Sequence, residues 1–173
     1  EPHRAELVDA VWRATGERDR IVFGSSRLVR VADDRLWGRA RVHANRGLAG
    51  IDGTVATAMG VQLAADDGTT RVILGDLAFL YDAGALLRSG SEERPRLQII
   101  VGNDGGGTIF DGLEVAQVAS REAMDRVQLT PQRADIEALA AAYGWDYVRA
   151  QSRAELDAAL GGGSSIIEVP LPR

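Results

Sequence analysis

The sequence predicts an α/β fold: a parallel sheet of about six strands with helices on both faces. Short apolar runs of strand length alternate with helix-length amphipathic stretches along the whole chain. Two of those runs, Val72-Ile73-Leu74 and Leu97-Gln98-Ile99-Ile100-Val101, are apolar almost throughout, as expected of strands buried on both faces. Each ends in a polar residue beside glycine, Gly75-Asp76 and Asn103-Asp104-Gly105. In open α/β sheets, ligands bind beyond such carboxyl ends.

Leu7, Val8, Val11 and Trp12 recur at helical spacing in residues 5–15, and Gly16 stops that helix. Ile21 to Gly24 reads as a buried strand, with Ser25-Ser26 at its end capping a helix that runs to about Asp33 and carries Arg30. Residues 41–44 are a weaker strand, followed by an Asn45-Arg46-Gly47 turn. Residues 51–65 are rich in Ala, Val, Thr and Met and read as a helix ended by Asp66-Asp67-Gly68. Beyond the Val72 strand, residues 79–88 form the next helix and residues 89–95 a polar loop. Residues 102–118 follow the second central strand with weak helical character. Pro131 and Asp135 introduce a helix over 136–143, stopped by Gly144. A strand over 145–148, a helix over 153–160, a triple-glycine turn and a strand over 165–169 complete the chain. No internal repeat or linker divides it, so residues 1–173 are expected to form one domain.

Composition narrows the chemistry. Cysteine is absent, which excludes disulfides, thiolate metal sites and a cysteine nucleophile. All 20 basic residues are Arg, so lysine Schiff bases and P-loop lysines are excluded too. A net charge of −5 without a basic block argues against a nucleic-acid binder. The sequence contains no apolar run long enough to span a membrane and opens without a secretory pattern, from which a cytoplasmic location is expected. With only His3 and His43 available, metal ligands must be oxygens, which favours a hard cation. His43 falls inside a predicted strand, where a structural role is expected.

Asp76 reads equally as a cap for the following helix and as a cation ligand. Asn103 alone is an ordinary turn residue. Together they sit on strands one helix apart. If those strands pair, about 4.8 Å separates them and the two side chains can share one ion. A carbonyl in the Gly105-Gly106-Gly107 turn could add a third oxygen, and Mg2+ would keep its remaining positions for phosphate and water. The glycine run also reads as a flexible surface turn.

Gly75-Asp76 and Asn103-Asp104 resemble the thiamine-diphosphate motif usually written GDG…NN, with departures at Leu77 and Asp104. The block Ala44 to Gly53 (ANRGLAGIDG) and the run Gly75 to Asp82 resemble one branch closely. That branch is the 2-succinyl-5-enolpyruvyl-6-hydroxy-3-cyclohexene-1-carboxylate synthases of menaquinone biosynthesis. The Arg-only, Ala-rich composition points to an actinobacterial source. The resemblance covers the pyrophosphate-binding, carboxyl-terminal domain and implies that two preceding domains are absent from this chain.

The resemblance further implies thiamine diphosphate and Mg2+ as cofactors, with Mn2+ as the alternative metal. Asp76, Asn103 and the Gly105 carbonyl would hold the metal. Ser25, Gly50, Ile51, Ala78, Phe79 and Gly106 would complete the cofactor site, with Ile51 propping the cofactor into its bent form. Ser26, Arg30, Arg46, Ile109 and Phe110 would face the substrates, 2-oxoglutarate and isochorismate. The reaction would decarboxylate the first and add the succinyl carbanion equivalent to the second. The activating Glu would come from the amino-terminal pyrimidine-binding domain of a neighbouring subunit in a homodimer or homotetramer, so this chain alone would hold no catalytic residue. On the residues by themselves, Arg30 reads as a solvated helix Arg, Ile109-Phe110 as core and Ser25-Ser26 as a cap. A non-catalytic diphosphate-binding module and a flavodoxin-like domain remain the alternatives.

Overall fold

The computed structural model describes residues 2–35, 38–45, 47, 48 and 50–173. In chain order its principal elements are α1 (Arg4–Ala14), β1 (Arg20–Phe23), α2 (Arg27–Asp33), β2 (Arg41–Ala44), α3 (Thr54–Leu63), β3 (Thr70–Gly75), α4 (Asp76–Tyr81) and β4 (Leu97–Asn103). The short helices α5 (Val115–Val118) and α6 (Arg121–Met124) follow. Then come α7 (Ile136–Ala142), β5 (Tyr147–Arg149), α8 (Arg153–Leu160) and β6 (Ser165–Pro170). The strands form one six-stranded sheet in the order β2-β1-β3-β4-β6-β5. Every pairing is parallel.

Side chains alternate between the two faces of each strand. Ile73 of β3 packs with Phe23, Ile100 and Ile167 against Leu7, Val11, Trp12, Leu28 and Leu156 of α1, α2 and α8. Its neighbours Val72 and Leu74 point the other way, with Ile99 and Val101, onto Val55, Phe79, Ile136 and Ala140 of α3, α4 and α7. Both faces are therefore covered, and this is why the central strands read as unbroken apolar runs. Each such side chain contributes roughly 1.5–3 kcal/mol on burial. The edge strand β2 is exposed along its length, His43 included, which accounts for its weaker sequence signal.

The expected and observed helices differ most after β3. The helix begins at Asp76, earlier than the predicted residue 79, and breaks at Asp82 into a 3-10 turn, Ala83–Leu86. Asp82 leaves the helix to cap another one: its Oδ2 accepts the N–H groups of Val55 at 2.7 Å and Ala56 at 3.1 Å, at the start of α3. Between Gly107 and Thr130 the chain runs through a 3-10 turn (Thr108–Gly112), α5, α6 and a π-helical turn (Asp125–Leu129), pieces too short for a periodic signal.

The helix after β1 lies on one face of the sheet and the helix after β3 on the other. From β2 the chain crosses back over β1 to reach β3. The strand order therefore reverses between β1 and β3, and their carboxyl ends open a crevice.

Candidate functional site

That crevice is a cleft of about 470 Å3. Its walls come from the ends of β1, β2, β3 and β4 and from the loop after β4. Ser25, Ser26, Arg30, Ile51, Asp76, Ala78, Gly106, Ile109 and Phe110 all line it, so most of the residues singled out from sequence share one surface.

Asp76 and Asn103 meet beside this cleft. The Nε2 of Gln132 donates to Asp76 Oδ2 at 2.7 Å and to Asn103 Oδ1 at 3.2 Å. The two oxygens are therefore no further apart than those two bonds laid end to end. β3, which Asp76 directly follows, pairs with β4, which ends in Asn103, and Gly75 stands opposite Gly102. Asp76 is the first residue of α4, and the cap position falls on Gly75, which has no side chain to cap with. Its carboxylate is 1% exposed. Burial, opposed by the Gln132 hydrogen bond and reinforced by the negative charge of Asp104, pushes its pKa up to about 6.

The glycine run is a packed loop. Gly105 and Gly106 have φ of 80° and 144°, and a Cβ on Gly106 would lie 2.4 Å from the carbonyl oxygen of Leu129. Gly107 N–H donates to that same carbonyl at 2.7 Å. The loop can approach the π-helical turn this closely only without side chains. Gly105 N–H also donates to Asn103 Oδ1 at 3.2 Å.

Asp104 lines the same cleft but is bonded to other partners. Its Oδ2 accepts from Arg4 at 2.5 Å and from the Thr108 hydroxyl at 2.5 Å, tying the start of α1 to the glycine loop. Ser26 caps α2, accepting Leu28 N–H at 3.2 Å, while it also lines the cleft. Arg30 is exposed, and its guanidinium donates to the Ser26 carbonyl at 3.1 Å. Asn45 turns its amide to Thr57 at 2.9 Å and to the Gly53 carbonyl at 3.3 Å, fastening β2 to α3.

The remaining residues singled out from sequence are placed as follows. The Phe79 side chain does not reach the cleft; it is fully buried in the core between α3 and the sheet. Ile109 and Phe110 are half-buried and exposed respectively, so they are wall residues and not core. Gly50 is exposed and lies outside the cleft lining. Arg46 lies outside the described residues.

Three participants were missed. Gln132 lies in irregular chain after Pro131 and has no periodicity to mark it. Arg4 meets Asp104 across 100 residues of sequence. Glu168, buried and bonded to Asn103 at 2.8 Å, did carry a signal: a lone charge within the apolar run of β6.

Among the described residues no group of three His, Cys, Asp or Glu side chains gathers around one point. The available donor set is one buried carboxylate and one amide oxygen converging beside a glycine turn. A hard, oxygen-seeking cation with remaining positions for phosphate and water fits that set.

The model of the thiamine pyrophosphate enzyme C-terminal TPP-binding domain matches residues 30–169. The chain is 56% identical to a 2-succinyl-5-enolpyruvyl-6-hydroxy-3-cyclohexene-1-carboxylate synthase from Clavibacter michiganensis subsp. michiganensis, over 98% of this chain and 31% of that protein. It is 57% identical to the protein of the same name from Leifsonia xyli subsp. xyli, again over 98% of this chain and 31% of the relative. Both sources are actinobacterial, as the composition predicts. The chain thus spans about a third of the length of these curated relatives. Benzoylformate decarboxylase from Polynucleobacter necessarius superposes with a TM-score of 0.79 at 18% identity, covering 96% of this chain and 32% of that one, a likeness of fold.

Proposed function

The chain belongs to the thiamine pyrophosphate enzymes, as their C-terminal TPP-binding domain. From that premise we propose that its carboxyl edge grips the diphosphate of thiamine diphosphate through Mg2+, with Mn2+ as a substitute. In this reading it forms half of the active site of a 2-succinyl-5-enolpyruvyl-6-hydroxy-3-cyclohexene-1-carboxylate synthase. One observation carries the reading: Asp76 Oδ2 and Asn103 Oδ1 accept from the same Gln132 nitrogen, so two oxygens from adjacent strands are aimed at one point. The carboxylate is buried, and a desolvated carboxylate facing a diphosphate repels it unless a cation lies between them.

Asp76, Asn103 and the Gly105 carbonyl would be the protein ligands of that cation. Ser25, Gly50, Ile51, Ala78 and Gly106 would surround the cofactor, and Phe79 would support α4 from the core. When bound, thiamine diphosphate supplies the carbon nucleophile and electron sink for decarboxylating a 2-oxo acid. The chain's own side chains bind and orient. Arg30 and Arg46 suit the carboxylates of 2-oxoglutarate and isochorismate, because a guanidinium pairs a carboxylate in bidentate fashion. Ser26 adds a hydroxyl, and Ile109 with Phe110 forms an apolar wall that keeps water from the reacting carbon. The activating Glu belongs to the amino-terminal domain of a neighbouring subunit in a cytoplasmic homodimer or homotetramer.

The test is metal coupling. In the full-length protein, Asp76→Ala is expected to abolish Mg2+-dependent binding of thiamine diphosphate in calorimetry. Unchanged affinity would refute the grip and favour a plain diphosphate-binding module. The 173-residue chain alone, given cofactor, metal and both substrates, is expected to form no product; robust turnover would refute the half-site reading.

A further inference from the structure

We propose that Glu168, held in turn by Tyr147, is a positioning residue that fixes which end of the Asn103 amide faces the cation. The inference rests on the cation reading of Asp76 and Asn103. Only the oxygen of an asparagine amide binds a hard cation, and a flip about χ2 would present the NH2 group instead.

The surroundings of Asn103 allow one orientation. Its Nδ2 donates to Glu168 Oε1 at 2.8 Å. A carboxylate accepts and cannot donate, so this end of the amide must be nitrogen. The other end meets donors, Gly105 N–H at 3.2 Å and Gln132 Nε2 at 3.2 Å, so it must be oxygen. Glu168 is itself held, since the Tyr147 hydroxyl donates to its Oε2 at 2.5 Å.

The register explains how three strands build this chain of bonds. Asn103 of β4 stands opposite Pro170 of β6, and Glu168 lies two residues earlier on the same face. Glu168 stands opposite Arg149 of β5, and Tyr147 again lies two residues earlier on the same face. The bonds therefore run diagonally down one face of the sheet, within the reach of long side chains. The Asn103 backbone is also pinned, its carbonyl accepting Leu171 N–H at 2.8 Å.

The placement of Glu168 is costly without such a role. It is 5% exposed, and among the described residues its side chain is hydrogen-bonded by the neutral Asn103 and Tyr147. A buried carboxylate held only by neutral donors is poorly compensated. It would draw electron density through the amide toward Oδ1 and so strengthen that oxygen as a ligand. Such outer partners typically change metal affinity by about 10–100-fold when removed.

The experiment uses the full-length protein with thiamine diphosphate and follows free Mn2+ by electron paramagnetic resonance. Thermal unfolding of each variant accompanies it. Glu168→Leu removes the acceptor and is expected to weaken Mn2+ binding by roughly 10–100-fold. Glu168→Gln keeps an acceptor oxygen and is expected to recover most of that loss, which a purely structural role would not require. Binding by Glu168→Leu at parental affinity would overturn the proposal while leaving the cation reading intact. If the parent shows no cofactor-linked Mn2+ binding, or Asp76→Ala binds as the parent does, the cation reading falls and the proposal with it. Should the leucine variant not fold, Tyr147→Phe decides, because it frees one carboxylate oxygen. A severalfold loss of Mn2+ affinity supports the proposal, and parental affinity overturns it.

Discussion

Replacing Asp76 by Asn tests the site before any ligand is added. The carboxylate is 1% exposed, and burial together with the Asp104 charge raises its pKa from 3.8 to about 6, against the pull of the Gln132 hydrogen bond. A pKa raised by folding means that the ionised form is worse off in the folded state. The stability tied to the protonated group is complete below about pH 4 and is lost as pH rises through about 6. A shift of about two units corresponds to roughly 3 kcal/mol. Asn keeps the shape and can still accept from Gln132 through its oxygen, but it carries no charge to desolvate. In EDTA at pH 8 the variant is therefore expected to be more stable than the parent by about 2–3 kcal/mol. For a domain of this size that raises Tm by roughly 5–10 °C. At pH 4 the two should unfold together. With Mg2+ and thiamine diphosphate at pH 8 the order should reverse, because the parent gains binding energy that the variant has lost. Thermal unfolding followed by circular dichroism at the two pH values, with and without metal, reads all three differences. A variant no more stable than the parent at pH 8, or a gain equal at both pH values, would refute the desolvation argument.

Apparent Mg2+ affinity is expected to fall about tenfold per pH unit below about 6, because the cation must displace the proton on Asp76; calorimetry across pH 5–8 checks it. Arg4→Met leaves Asp104 nearly buried and unpaired, and is expected to cost roughly 3 kcal/mol in urea unfolding. Phe79→Ala should cost about 3–5 kcal/mol as a core deletion, whereas Phe110→Ala, at a residue 37% exposed, should cost under about 1 kcal/mol; equal losses would refute the placement of Phe79. Gly106→Ala forces a Cβ to within 2.4 Å of a backbone oxygen at φ 144°, and is expected to destabilise the protein by roughly 1–3 kcal/mol.

The sheet was legible because burial on both faces removes polar alternation from β3, β4 and β6, leaving apolar runs of strand length bounded by turn residues. Asp76 and Asn103 were legible for a related reason: a polar residue at the end of such a run is conspicuous. The start of α4 was not, because Asp82 breaks the helix to serve α3, and no local pattern records that service. Phe79 was assigned to the site by resemblance, although α4 turns its side chain into the core. Gln132 stayed hidden because its segment carries no period, and Arg4, at the start of α1, because its partner Asp104 is remote in sequence. Glu168 could have been found, since a carboxylate inside an apolar strand requires a buried partner.

The departure from the usual asparagine at Asp104 gains its meaning from the charges around it. Three buried or nearly buried carboxylates stand at this edge of the sheet. Asp104 is neutralised by Arg4 and bonded by Thr108. Glu168 is held by Asn103 and Tyr147. Asp76 has a neutral amide, Gln132, as its side-chain partner, and it is the carboxylate whose pKa rises to about 6. Asp104 therefore raises the cost of ionising Asp76 without competing for the same point, because its own oxygen is committed to α1. The edge is short of positive charge where Asp76 and Asn103 converge, and a phosphate group alone would deepen that shortage. On the proposed reading a divalent cation would remove it, holding the carboxylate ionised and turning the same point attractive to a diphosphate.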